Sequence, residues 1–243
     1  MRQEYDKYTE EDFQVWKLLY ERQMPQLPGA AIQEYIDGIQ RVEFVADRIP
    51  KFEETNKLLG SHTGWELVVV AGLIPDKDFF ELLASKKFPA STWLRKLSEL
   101  DYLEEPDMFH DVFGHVPLLT NQNVVTYLQE LSRIALRYIN DPWAVELLSR
   151  IYWFTVEFGL IRDNGQLRIY GAGILSSKGE TWYSLHDPTP ARHPFNVEKI
   201  LDTPYRKDVF QKEYFVIDSF QQLADSIDEL DRYMAEKIPV NSR

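Results

Sequence analysis

Two of the five histidines in this 243-residue chain, His110 and His115, stand five positions apart (115 − 110). They lie in the run Glu105-Pro106-Asp107-Met108-Phe109-His110-Asp111-Val112-Phe113-Gly114-His115-Val116-Pro117, with carboxylates at Asp107 and Asp111 and otherwise mostly apolar neighbours. Imidazoles and carboxylates are costly to bury unpaired and suit a borderline metal ion, so their concentration here points to a metal centre. Two histidines are too few to hold an ion, and a carboxylate is the usual third ligand of an iron site. Asp107 and Asp111 suit a supporting role, because an acid beside a ligating histidine commonly fixes its tautomer through the far ring nitrogen. Glu157, a lone acid in Tyr152-Trp153-Phe154-Thr155-Val156-Glu157-Phe158-Gly159, is the better third ligand, since coordination would offset its burial. From spacing alone, coordination stands level with an exposed or arginine-paired Glu157.

The spacing constrains the backbone. Each residue of an α-helix turns about 100°, so five steps leave about 140° between side chains and four steps only about 40°. A straight helix therefore cannot aim His110 and His115 at one ion. Gly114 permits unusual backbone angles and Pro117 interrupts regular hydrogen bonding, so the helix should end or widen here. The same spacing, with no Glu beside His110, argues against the four-residue histidine motif of zinc hydrolases. His62, His186 and His193 read as loop and turn histidines. Gly171-Ala172-Gly173 has Ser176 where a dinucleotide-binding motif would have its third glycine, so it does not match one.

These residues need elements to position them. Apolar periodicity predicts helices over 10–24 with Thr9 as cap, 30–46, 124–140, 143–160 and 219–238 with Ser219 as cap, and a short helix beginning near 75–85. The β-branched run 65–71 reads as a strand, 168–175 as a second strand or extended turn, and 214–217 as a third. Phe88-Pro89 reads as a break, and 93–100 is short and mixed. With no repeat and no linker, the expectation is a mainly α, single-domain catalytic fold over 1–243, with its core at about 8–220 and a few short strands.

With 39 acidic against 27 basic side chains the net charge is −12, which disfavours nucleic acid and anionic membrane as partners. There are no cysteines, which excludes disulfides, thiolate metal sites and a cysteine nucleophile. The polar N-terminus shows no signal peptide, and no apolar run reaches the roughly 18 residues of a membrane helix. A cytoplasmic protein is expected.

The chain resembles the pterin-dependent aromatic amino acid hydroxylases. The resemblance rests on Glu105-Pro106-Asp107, on His110-Asp111 with Gly114-His115-Val116-Pro117, on 152–159, and on Tyr170-Gly171-Ala172-Gly173-Ile174-Leu175-Ser176-Ser177, with weaker similarity over about 8–220. It implies a mostly helical catalytic domain holding non-haem Fe(II) through His110, His115 and Glu157. Its co-substrates would be O2 and tetrahydrobiopterin or a related tetrahydropterin, and its substrate L-phenylalanine. It further implies Ile74, Asp76, Phe79, Asp111 and Tyr152 around the pterin. Arg95 would clamp the substrate carboxylate, and Pro106, His110, Trp153, Gly173 and Ser176 would wall the amino-acid pocket. Asp111, Leu103 and Asp76 depart from the Glu, Thr and Ser of animal relatives. The sequence leaves no room for the regulatory domain of animal relatives and has no tetramerisation extension after the last helix, so a monomer is expected. Tryptophan 5-hydroxylation and phenylalanine 3-hydroxylation remain alternatives within the family. A zinc hydrolase or an inactive metal- or pterin-binding protein are the alternatives from other classes.

Overall fold

Thr9 caps the first helix as expected: its hydroxyl accepts the Asp12 N–H and the Asp12 carboxylate accepts the Thr9 N–H. In the computed structural model, which describes residues 1–101 and 105–238, this helix is α1 (Glu10–Gln23). Helices α2 (Gln33–Arg41), α3 (Phe52–His62) and α4 (Asp76–Ala84) follow, with β1 (Glu66–Val69) before α4 and β2 (Lys87–Ala90) after it. The long pair α5 (Gln122–Arg137) and α6 (Pro142–Tyr152) leads to β3 (Leu160–Asp163), β4 (Gln166–Ile169), α7 (Ala172–Leu175) and α8 (Lys178–His186). The chain continues through β5 (Ala191–Pro194), α9 (Val197–Asp202), β6 (Glu213–Ile217) and α10 (Phe220–Lys237), whose cap is Ser219. Helix predominates, as the sequence suggests. Leu103 and Glu104 lie outside the described residues.

Several expected elements change length or type. The helix expected over 30–46 is shorter, because Ala31 bridges to Ile169 before it and Glu43 adopts a positive φ after it. Helix α3 is an addition, although Phe52, Thr55 and Leu59 form its buried stripe, and His62 is its last residue rather than a loop histidine. Phe88-Pro89 lies in strand β2, paired in parallel with β1. Pro89 has no N–H to donate, and a two-stranded sheet, all edge, tolerates that. The helix expected to reach 160 gives way to strand β3, which turns through Asn164-Gly165, both at positive φ, into β4. The segment expected as strand or turn at 168–175 splits into the end of β4 and the short helix α7. His193 lies in β5, in a four-stranded sheet of order β4-β3-β6-β5. There its ring nitrogens face Glu213 and Lys199, which is a structural role.

Between β2 and α5, residues Phe109–His115 form a π-helical turn followed by a 3-10 turn, Val116–Thr120. The buried face of the π turn packs on the first helices. Phe109 and Phe113 stack with centroids 4.6 Å apart, against Trp16 and Tyr20 of α1, both at 5.5 Å. Pro117 has no N–H for the Phe113 carbonyl, and the buried Tyr35 hydroxyl of α2 donates to it instead at 2.7 Å. A second π turn, Trp153–Glu157, continues α6, and the Phe158 N–H reaches back five residues to the Trp153 carbonyl (2.9 Å). Thr155 donates its hydroxyl to the Ile151 carbonyl inside this turn.

Tyr35→Phe should therefore orphan a buried carbonyl and lower stability by about 1–3 kcal/mol, read as a shift in the urea midpoint with an unchanged slope. An unchanged midpoint would show that the hydroxyl does not support the turn.

Candidate metal centre and active site

The π turn resolves the spacing problem. Its hydrogen bonds span five residues instead of four, so side chains five apart lie above one another as those four apart do in an α-helix. His110 Nε2 and His115 Nε2 accordingly lie 3.3 Å apart. Glu157, at the end of the second π turn, completes a triangle, with Oε1 3.2 Å from His115 Nε2 and Oε2 3.5 Å from His110 Nε2. Among the described residues this is the one group of three histidine or acidic side chains found close enough to hold an ion. Edges of 3.2–3.5 Å suit a single ion with bonds of about 2.1 Å. Edge length alone accepts a tetrahedral or an octahedral face, while two nitrogens and one carboxylate are the donor set of non-haem Fe(II) sites.

The turns are held together from behind by the loop that starts α7. A methyl on Gly114 would lie 2.9 Å from the Ala172 carbonyl oxygen, and one on Gly171 would lie 2.4 Å from the Glu157 carbonyl oxygen. Both distances are too short for a side chain. Gly171-Ala172-Gly173 thus forms a tight bridge between the histidine turn and the glutamate turn.

The ring of His110 is oriented from its far side. Ser176 Oγ donates its one proton to the Ala172 carbonyl (2.8 Å) and lies 3.0 Å from His110 Nδ1. That contact then requires Nδ1–H to donate to Ser176, which leaves the Nε2 lone pair facing Glu157 and His115. This corrects the expectation that Asp107 fixes the tautomer through the ring. Asp107 Oδ1 instead accepts the backbone N–H of His110 (3.1 Å), and the carboxylate is paired with Arg95 through Nε–Oδ2 (2.9 Å) and Nη2–Oδ1 (3.0 Å). Arg95 Nη1 also donates to the Leu100 carbonyl. Three of five guanidinium N–H donors are thereby used, leaving two for a further acceptor.

Burial pushes His110 down to about 4, against the opposing pull of Glu157, so the ring is neutral near pH 7, as a ligand must be. Burial alone would raise Glu157, but His115 and His110 beside it hold it below the ordinary carboxylate range. Asp111 is not on the histidines. It accepts the Ser91 N–H (2.8 Å), and burial pushes it up to about 7.

The remaining candidates fall into two groups. Phe79 of α4 and Tyr152 meet edge to face at 5.4 Å. Half-buried Ile74 and exposed Asp76 stand just ahead of Phe79. In the second group, Trp153 lies against Phe158 (4.6 Å), whose ring closes on Gly173, while Pro106 is exposed next to Asp107. Sequence reading missed Tyr205, stacked on Trp153 at 4.4 Å, and Gln211, which accepts the Trp153 indole N–H at 3.0 Å. A lone Gln in a polar loop carries no motif by which to find it.

A mainly helical scaffold with two histidines and a glutamate on adjoining π turns defines a mononuclear metal-centre protein. Residues 4–241 match the biopterin-dependent aromatic amino acid hydroxylase family, and the chain belongs to it. It is 50% identical over 221 residues to the phenylalanine-4-hydroxylase of Chromobacterium violaceum, covering 91% of this chain and 74% of that protein. It is 49% identical over 226 residues to that of Ralstonia nicotianae, covering 93% and 72%. The crystal structure of the C. violaceum enzyme with bound iron(III) and the oxidised cofactor 7,8-dihydrobiopterin superposes with a TM-score of 0.92 at 48% identity, over 98% of this chain and 86% of that one.

Removing the Ser176 hydroxyl should free the His110 ring to change tautomer. Ser176→Ala is expected to weaken Fe(II) binding about 10–100-fold, measured by chelator competition, with the thermal midpoint little changed. Wild-type affinity would remove Ser176 from this role.

Proposed function

We propose that this chain is an Fe(II)- and tetrahydropterin-dependent monooxygenase that converts L-phenylalanine to L-tyrosine with O2. The observation that carries the proposal is the convergence of His110, His115 and Glu157 in a chain of this family. When bound, Fe(II) and the tetrahydropterin would supply the redox chemistry: the pterin would give two electrons, one oxygen atom of O2 would go to the substrate ring and the other would end, with two protons, as water.

The protein's own residues bind, orient and exclude water. His110, His115 and Glu157 hold the metal, with Ser176 and Asp107 fixing His110 through its ring and its backbone. Phe79 and Tyr152 offer flat apolar surface to the pterin ring, with Ile74 and Asp76 beside them. Asp111, raised toward neutrality by burial, can donate as well as accept a hydrogen bond there. Arg95, held rigid by Asp107, presents its two remaining N–H donors to the substrate carboxylate. Pro106, Trp153, Gly173 and Ser176 wall the amino-acid side chain.

All three metal ligands come from one chain, so a monomer suffices, and the residues form a single catalytic domain. Among the described residues no helix is long and apolar enough to cross a membrane. The absence of cysteine suits the cytoplasm, where we place the protein.

Protein loaded with Fe(II) and supplied with a tetrahydropterin should form tyrosine from phenylalanine with matching O2 uptake. Phenylalanine, tryptophan and tyrosine assayed in parallel, with products separated by chromatography, fix substrate and ring position. Absence of coupled uptake with all three would overturn the enzyme reading, and hydrolytic activity with zinc would replace it. Glu157→Ala should bring turnover below detection while the far-UV spectrum and thermal midpoint stay near wild type. Retained turnover would take Glu157 out of the centre.

A further inference from the structure

Trp153 is held by a part of the chain remote from the metal ligands. Its indole N–H donates to Gln211 Oε1 (3.0 Å), and Gln211 is buried at the end of the loop between α9 and β6. The Gln211 amide can sit only one way round. Its Nε2 donates to the carbonyls of Arg206 (2.8 Å) and Val209 (3.2 Å), so the oxygen must face the indole. The backbone of Gln211 is fixed as well, since its N–H donates to Glu180 Oε1 (3.0 Å), which also accepts the Tyr214 hydroxyl. Glu180 is buried and burial raises its carboxyl, so these two donors compensate an otherwise costly group. From the same loop, Tyr205 stacks on the indole with ring planes 20° apart. A buried acid on α8 therefore anchors a glutamine, and the glutamine fixes the tilt of the tryptophan.

We propose that Gln211 is a positioning residue for substrate selection: by fixing the Trp153 indole it sets where an aromatic ring rests relative to the metal centre. The inference rests on the reading of Trp153 as a wall of the amino-acid pocket. Trp153 opens the π turn that Glu157 closes, so a change in its tilt is transmitted to a wall contiguous with a metal ligand. Losing the hydrogen bond frees the indole to rotate against Tyr205 and Phe158, which blurs discrimination between a phenyl and an indolyl substrate. It also lets pterin oxidation proceed without hydroxylation, because the target ring is no longer held in place.

The test compares wild type, Gln211→Met, Trp153→Phe and the double variant, all loaded with Fe(II). Gln211→Met keeps the side-chain length but removes the acceptor and both donors. It should change the phenylalanine-to-tryptophan ratio of kcat/KM about tenfold and lower the tyrosine formed per pterin oxidised, with Fe(II) affinity unchanged. In the Trp153→Phe background, which has no indole N–H, the same substitution should add little to either readout. If Gln211→Met does not fold, Gln211→Asn, which withdraws the acceptor by one methylene, carries the comparison. Wild-type preference and coupling in the folded variant, or an equal effect with and without Trp153, would overturn the inference alone. A wild-type protein inactive on every aromatic amino acid would overturn the underlying reading, and the inference with it.

Discussion

The structure depends on one constraint: two histidines five residues apart and a glutamate 42 residues further on (157 − 115) must meet within 3.5 Å. An α-helix cannot satisfy the first part, and the chain answers with a π turn at Phe109–His115. For the second part, the segment that starts α7 lies against both turns, and a side chain at Gly114 or Gly171 would prevent that approach. The π geometry is supported by specific groups: the Tyr35 hydroxyl takes the carbonyl that Pro117 cannot serve, and Thr155 takes that of Ile151. The first satisfies a buried carbonyl that would otherwise cost about 1–3 kcal/mol.

The electrostatics follow from the same geometry. Burial keeps His110 neutral against the pull of Glu157, while the neighbouring histidines keep Glu157 charged against its own burial, the protonation states that metal ligation needs. The neighbouring acids are engaged elsewhere rather than left to compete for the ion. Asp107 is wholly buried yet satisfied by Arg95 and by the His110 backbone, so it is not a fourth ligand waiting for metal. Asp111 faces Ser91 instead of the histidines.

Much of this was legible in the sequence, and the parts that were not share a physical reason. Residue type and spacing point to His110 and His115 but leave Glu157 level between a ligand and an exposed or paired acid, and side chains about 140° apart demand a widened or broken helix. The caps at Thr9 and Ser219 and the long apolar stripes of α5 and α10 read directly, because their signals are local. Asp107 was given the wrong contact because sequence proximity to a histidine does not say whether its ring or its backbone is within reach. The hairpin of β3 and β4 was overrun by the helical pattern of α6, although Asn164-Gly165 marks its turn. Gly171-Ala172-Gly173 could be excluded as a nucleotide motif but not recognised as a bridge, since close backbone approach is a tertiary fact. Gln211 and Tyr205 are separated from Trp153 by more than 50 positions (211 − 153 and 205 − 153) and have no pattern of their own.

The placement of Trp153 and Glu157 at the two ends of one π turn has a consequence for how such a site can vary. A pocket wall on a separate loop could be reshaped without disturbing the metal. Here the wall and the ligand share five residues of backbone, and the Phe158 N–H that closes the turn donates to the carbonyl of Trp153 itself. Changing the tryptophan's own backbone would move Glu157, whereas changing what holds its side chain would not. Residues outside the turn, on the loop of Tyr205 and Gln211 and on α8 through Glu180, are therefore where the aromatic wall can be adjusted while the metal triangle stays intact.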